Sequence, residues 1–236
     1  MGALFYGCDG FNADISNWDT SRLQDMTLMF CGASAFDGDL SSWNVSRVRF
    51  MYGTFQGARS FRGALGSWDV SRVESMSNMF RGAKSFSSDL SAWDVSSVKC
   101  MSGTFRDAKL FSSDLSEWNV SLVSAMDSMF WGAESFSSDL SSWDVSGVLD
   151  TSFMFRGAKS FSSDLSSWDV SNVYRMGYMF QDAVSFDADL SDWDTSKVWF
   201  VRDIFRGATS FNGEISNWNI SGVSNIGGLS YIQELQ

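Results

Sequence analysis

A tryptophan recurs every 25 residues, at Trp18, Trp43, Trp68, Trp93, Trp118, Trp143, Trp168, Trp193 and Trp218. Two phenylalanine series keep the same phase, one from Phe11 to Phe211 and one from Phe30 to Phe205, without a slipped residue. A strict period of this length makes a chain a stack of equivalent turns, each burying its apolar face against its neighbours. It leaves no natural domain boundary, so the sequence predicts one solenoid domain over 1–236 with about nine 25-residue repeats. Residues 1–10 enter in mid-turn as a partial repeat without an N-terminal cap, with Phe5, Gly7, Cys8 and Phe11 matching Phe30, Gly32, Ala33 and Phe36. Cys8 is thereby expected in the core. Residues 227–236 leave the pattern as an irregular C-terminal tail.

Local structure follows from the spacing inside one repeat. In 136–160, FSSDLSSWDVSGVLDTSFMFRGAKS, the alternation Trp143-Asp144-Val145 predicts a short strand with Trp and Val on one face. Stacked, such strands give rungs of a parallel sheet. In 173–183 the apolar set Val173, Met176, Met179, Phe180 and Ala183 follows steps of three and four, which predicts a short α or 3₁₀ segment on the outer side. Gly32, Gly57, Gly82, Gly132, Gly157 and Gly207, replaced twice by Asp107 and Asp182, are read as left-handed residues ending that segment. The methionine columns, Met26 to Met176 and Met29 to Met179, are read as core and not as soft-metal ligands.

The series Leu-x-x-Trp-x-Val-x-x-Val resembles the strand segment of a leucine-rich repeat. More closely, the block Val-x-x-Met-x-x-Met-Phe-x-Gly-Ala-x-x-Phe-x-x-Asp-Leu-Ser-x-Trp-Asp-Val-Ser is similar to the 25-residue repeat of BspA-like leucine-rich-repeat surface proteins, including mycoplasma-type lipoproteins. The resemblance covers essentially the whole chain. It implies an open solenoid used in adhesion or protein contact at the cell surface or outside the cell. The expected fold class is an α/β repeat solenoid, leucine-rich-repeat-like, with one short parallel β-strand and one short α/3₁₀ segment per 25-residue turn.

Composition narrows the function. A net charge of −11 argues against nucleic acid, whose phosphates attract a surplus of Lys and Arg. No apolar run is long enough to span a membrane, and no signal peptide is visible at the start. The chain has no histidine, so its serine columns lack the usual base for a nucleophile. Asp14 to Glu214 and Asp19 to Asn219 form two ladders, read as turn residues that accept backbone N–H groups. A calcium-binding solenoid built on these ladders is the alternative chemistry. No enzyme, cofactor or metal site is expected.

The candidate contact residues are those that the repeated core leaves unexplained. Trp131, Tyr174, Tyr178, Phe153, Trp199 and Phe200 stand where other repeats carry polar or small residues, and Leu110 joins them. Arg81, Arg106, Arg156 and Arg206 share a column, with Arg59, Lys84, Lys109 and Lys159 three positions on, which makes the molecule electrically two-faced. The reading is a non-enzymatic scaffold or adhesion solenoid with a protein partner, a glycan being the other ligand class considered. Its alternative is an accessory subunit of a larger, membrane-associated assembly.

Overall fold

The computed structural model describes residues 2–219 and 221–223, so the tail predicted over 227–236 lies outside the described residues. The chain winds as a solenoid, one rung per 25 residues. Among the described residues there is no helix, and the sheet is reduced to isolated parallel bridges, Asp25↔Phe50 through Arg175↔Phe200.

The segment expected to be helical is instead a run of overlapping β-turns. Met179, Gln181, Ala183 and Phe186 donate their N–H groups to the carbonyls three residues back, of Met176, Tyr178, Phe180 and Ala183. The intervening amides of Met176, Tyr178, Phe180 and Asp182 turn outward and donate to Phe200, Arg202, Ile204 and Arg206 of the next rung at 2.8–2.9 Å. Tyr178 and Asp182 sit at φ 62° and 58°. An α-helix needs negative φ throughout and every N–H aimed four residues back, so these two features exclude it. Steps of three suit consecutive turns equally well, because the first and last residue of each can both face inward.

The Trp143-Asp144-Val145 strand is also corrected. Trp143 and Val145 are buried and Asp144 is exposed, as alternation requires. Yet the segment pairs with no neighbouring strand: Trp143 N–H closes a turn on the Leu140 carbonyl at 3.1 Å, and Val148 N–H closes another on Val145 at 2.9 Å. Rungs are joined here by side chains. In the 25-residue series each indole Nε1 from Trp43 to Trp218 donates to the carbonyl 28 residues earlier, as Trp143 does to Leu115 at 2.9 Å. Two wide corners, at Leu140–Trp143 and Val145–Val148, leave no extended stretch long enough to pair. The backbone ladder therefore runs on the other side of the rung.

Equivalent points in successive rungs are not equally spaced. The Trp pairs 18–43, 93–118 and 193–218 have ring centroids 6.0–6.4 Å apart. The Phe36 column repeats at 5.6–6.0 Å and the Phe30 column at 5.3–5.7 Å. On the ladder side Phe153 and Tyr178 stack at 4.7 Å, close to the ~4.8 Å of hydrogen-bonded strands. Unequal displacement requires rotation between rungs, so the solenoid bends with the ladder on its concave side and the tryptophans on its convex side.

Between these edges lies one continuous core of Phe, Met, Leu, Val and Ala. The two Phe columns also stack within each rung, at 3.8–4.3 Å. Thr54 and Thr104 replace Met in one column and are fully buried; the Thr54 hydroxyl lies 3.0 Å from the Met51 carbonyl and 3.1 Å from that of Met26. Cys8, expected in the core, is exposed because it belongs to the first of the described rungs and no described residue covers it.

Candidate functional site

The columns on the concave side are the ones whose residue types change. One reads Gln24, Arg49, Glu74, Lys99, Ser124, Leu149, Tyr174, Trp199, and the bridging column reads Asp25, Phe50, Ser75, Cys100, Ala125, Asp150, Arg175, Phe200. Their backbone amides and carbonyls hold the ladder, a task indifferent to side-chain type, so the side chains are free to vary. Most of the 17 basic residues lie on this side.

One concave column is conformationally special. Ala3, Leu28, Gly53, Asn78, Gly103, Ser128, Phe153, Tyr178 and Asp203 all hold φ between 50 and 62°. Gly, Asn and Asp occupy that region at little cost, whereas other residues are penalised by roughly 1–2 kcal/mol. Phe153 and Tyr178 place bulky rings there in consecutive rungs.

Those rings form a ridge. Arg106 lies over the Trp131 ring at 3.6 Å and Arg156 at 4.8 Å; Trp131 stacks on Phe153 at 5.1 Å, and Phe153 on Tyr178 at 4.7 Å. Phe200 tilts against Tyr178 at 6.2 Å and against Trp199 at 6.1 Å. Beside the ridge is a depression of about 500 Å³, whose walls include Arg106, Asp127, Trp131, Asp150, Arg175 and Trp199. Seven of the residues singled out from sequence, Trp131, Phe153, Tyr178, Trp199, Phe200, Arg106 and Arg156, thus meet in one place. Arg81 lines a neighbouring groove, while Tyr174 and Arg206 are exposed and make no aromatic contact among the described residues. Leu110 is exposed in a different column.

The sequence reading missed two participants. Arg175 lies over Trp199 at 4.9 Å and reaches Asp150 at 3.7 Å, so it pins an indole that is still 42% exposed. Gly177 clears space for Phe200: a Cβ on it would lie 2.0 Å from that ring. Both sit in columns of mixed composition, and their roles emerge only once rungs are overlaid.

Electrostatics separate the two sides. On the convex side and the corners, the ladder carboxylates accept N–H and hydroxyl groups two residues on, and bonds from Ser141 hold Asp139 below the usual carboxylate range. Ser113, Ser138 and Ser163 hydroxyls bridge rungs by accepting the N–H of Leu90, Leu115 and Leu140. On the concave side, burial and then the proximity of Arg81 push the Arg106 guanidinium below its ordinary value, and its buried Nε has no hydrogen-bond partner among the described residues. Among the described residues, no group of three or more Cys, Asp or Glu converges as metal ligands. Among the described residues there is no helix long and apolar enough to cross a membrane.

The sequence matches the family described as "Mycoplasma protein of unknown function, DUF285" over residues 1–74, 51–158 and 138–232. The chain belongs to this family. The overlapping matches are those of a tandem array, in which no residue marks where one copy stops. No curated protein sequence matches the chain. Among solved structures it is similar to a chain in the crystal structure of the TLR13–ssRNA13 complex, at 12% identity and a TM-score of 0.30, covering 82% of this chain and 35% of that one. It is likewise similar to a chain in the mouse RP105/MD-1 complex, at 12% identity and a TM-score of 0.37, covering 88% and 36%. The chain spans about a third of the length of either.

Proposed function

We propose that the chain is a non-enzymatic binding solenoid whose concave face contacts a protein partner through the ridge Trp131–Phe153–Tyr178–Phe200. One observation carries this reading: in a column where Gly, Asn and Asp are conformationally cheapest, two consecutive rungs hold Phe153 and Tyr178 at φ 61° and 62°. Other rungs close over Gly103 or Asn78 at the same place, so the fold does not require an aromatic there, and strained positions cluster at contact sites. Aromatics and arginine are also the residues that dominate protein interfaces. The resemblance to BspA-like repeats supports a role in adhesion at a cell surface. Its non-enzymatic character is supported by the absence of histidine and by the engagement of ladder carboxylates in turn hydrogen bonds.

The test is affinity capture from cell-surface extracts with the intact chain and with Trp131→Gln/Phe153→Asn/Tyr178→Asn, which installs residue types found elsewhere in those columns. Loss of a specific captured protein with the variant, at unchanged thermal stability, is the expected result. Equal capture by both chains refutes the assignment of the ridge.

A further inference from the structure

N-terminal to the ridge, the same concave face carries more cations than carboxylates. A groove of about 430 Å³ is lined by Gln56, Arg59, Arg81, Lys84 and Lys109, with Asp107 at one end. Arg59, Lys84 and Lys109 occupy one column in three successive rungs, and Arg81 and Arg106 adjoin them in another. Among the described residues, Arg59, Arg81 and Lys84 form no salt bridge, while Arg106 lies 3.7 Å from Asp107 and Lys109 and Lys159 share Glu134. In a chain of net charge −11 a cluster of unneutralised cations is costly through mutual repulsion, and a bound anion relieves it. Arg106 joins this groove to the depression beside the ridge, because it is the electrostatic neighbour of Arg81 and the stacking partner of Trp131.

We propose that this continuous groove seats an extended Asp/Glu-rich segment of the partner protein, its acidic residues along Arg59, Arg81, Lys84 and Arg106 and its apolar residues against Trp131 and Trp199. The inference rests on the reading of the concave face as a protein-binding face and adds the chemistry of what binds there. From the rung of Arg59 to that of Trp199 there are six steps, which at ~4.8 Å each give a trough of roughly 29 Å, the length of about nine extended residues. A guanidinium lying flat on an aromatic ring keeps its N–H fork available for bidentate contact with carboxylate. The faces of two ridge rings, in contrast, are already occupied: Trp131 lies between Arg106 and Phe153, and Phe153 between Trp131 and Tyr178. Nucleobases and sugar rings bind aromatics through those faces, so the arrangement favours carboxylate side chains over either.

The experiment is fluorescence polarisation with the whole chain and a labelled eight-residue peptide of Asp and Glu ending in two leucines. Its Asn/Gln counterpart, a single-stranded oligonucleotide and a sulfated oligosaccharide of similar length serve as competing probes. The acidic peptide is expected to bind at least about tenfold more tightly than the amide peptide, with affinity falling as salt rises. Arg81→Gln/Lys84→Gln is expected to weaken it about tenfold, and Arg47→Gln/Arg62→Gln, which removes two exposed arginines elsewhere, to leave it unchanged. Equal binding of acidic and amide peptides, an equal loss in both double variants, or tighter binding of the oligonucleotide or the glycan overturns the inference. If ridge-dependent capture of a protein persists while the acidic peptide fails, the binding-face reading stands and only this inference falls.

Discussion

Phe153 and Tyr178 stack at 4.7 Å with both backbones in the left-handed region, so each aromatic supports a neighbour held in the same unfavourable conformation. Replacing both by Asn, which tolerates φ near 60°, is expected to leave stability unchanged or to raise it by up to about 1 kcal/mol while abolishing partner binding. Urea denaturation and affinity capture measure the two effects. A loss of more than about 1 kcal/mol would mean that the ridge belongs to the fold.

Phe200 lies over the bare backbone of Gly177. In Gly177→Ala the new methyl displaces the ring, which is partly exposed and free to swing, so stability should change by no more than about 0.5 kcal/mol. Partner affinity should fall, and the fluorescence of the adjoining Trp199 should shift. An unchanged Trp199 environment would show that the Phe200 ring is not held where it is described.

The indole of Trp118 donates to the buried Leu90 carbonyl at 3.1 Å. Trp118→Phe leaves that acceptor unpaired and trims the packing, for an expected cost of about 1–3 kcal/mol. Trp18, 42% exposed and with no such bond among the described residues, gives the internal control: Trp18→Phe should shift the unfolding midpoint much less. Equal shifts for the two substitutions would remove the indole bond from the account of rung cohesion.

Acid should loosen the stack. Glu134, hydrogen-bonded by Lys109 and Lys159 of the flanking rungs, titrates at about 2 against an ordinary 4.5, and Asp89, Asp114 and Asp139 are lowered from 3.8 by bonds from Ser91, Ser116 and Ser141. Folded values below unfolded ones mean that the stabilisation is complete above about pH 4.5 and drains away as pH falls towards 2. The denaturation midpoint should be flat from neutrality to about pH 5 and then decline, with Glu134→Gln removing part of the decline. A midpoint that rises on acidification contradicts the assigned bonds.

The stack itself was legible because Trp and Phe recur without slippage, and identical side chains at a fixed interval have few other ways to be buried together. The division of each rung was not. Steps of three at Val173, Met176 and Met179 suit a helix and a chain of turns alike, and only the positive φ of Tyr178 and Asp182 separates them. Asp182, standing where most repeats have Gly, carried that signal, while Tyr178 concealed it, since bulky aromatics are the last residues expected there. Likewise the deviant residues Trp131, Phe153 and Trp199 could be picked out one by one, whereas their meeting on the concave side depends on where the ladder runs. Arg175 and Gly177 show the same limit, for their significance lies in neighbouring rungs, at Asp150, Trp199 and Phe200.

Hydrogen exchange at the indole N–H groups, resolved by ¹⁵N NMR, tests the in-phase stacking of rungs most directly. Of the 11 tryptophans, the eight from Trp43 to Trp218 in the 25-residue series donate to a carbonyl one rung back, and their indole protons should exchange slowly. Trp18, Trp131 and Trp199, which make no such bond among the described residues, should exchange rapidly. Uniformly fast exchange across the series, or protection that fails to separate these two groups, would contradict the stacked architecture and the concave face built upon it.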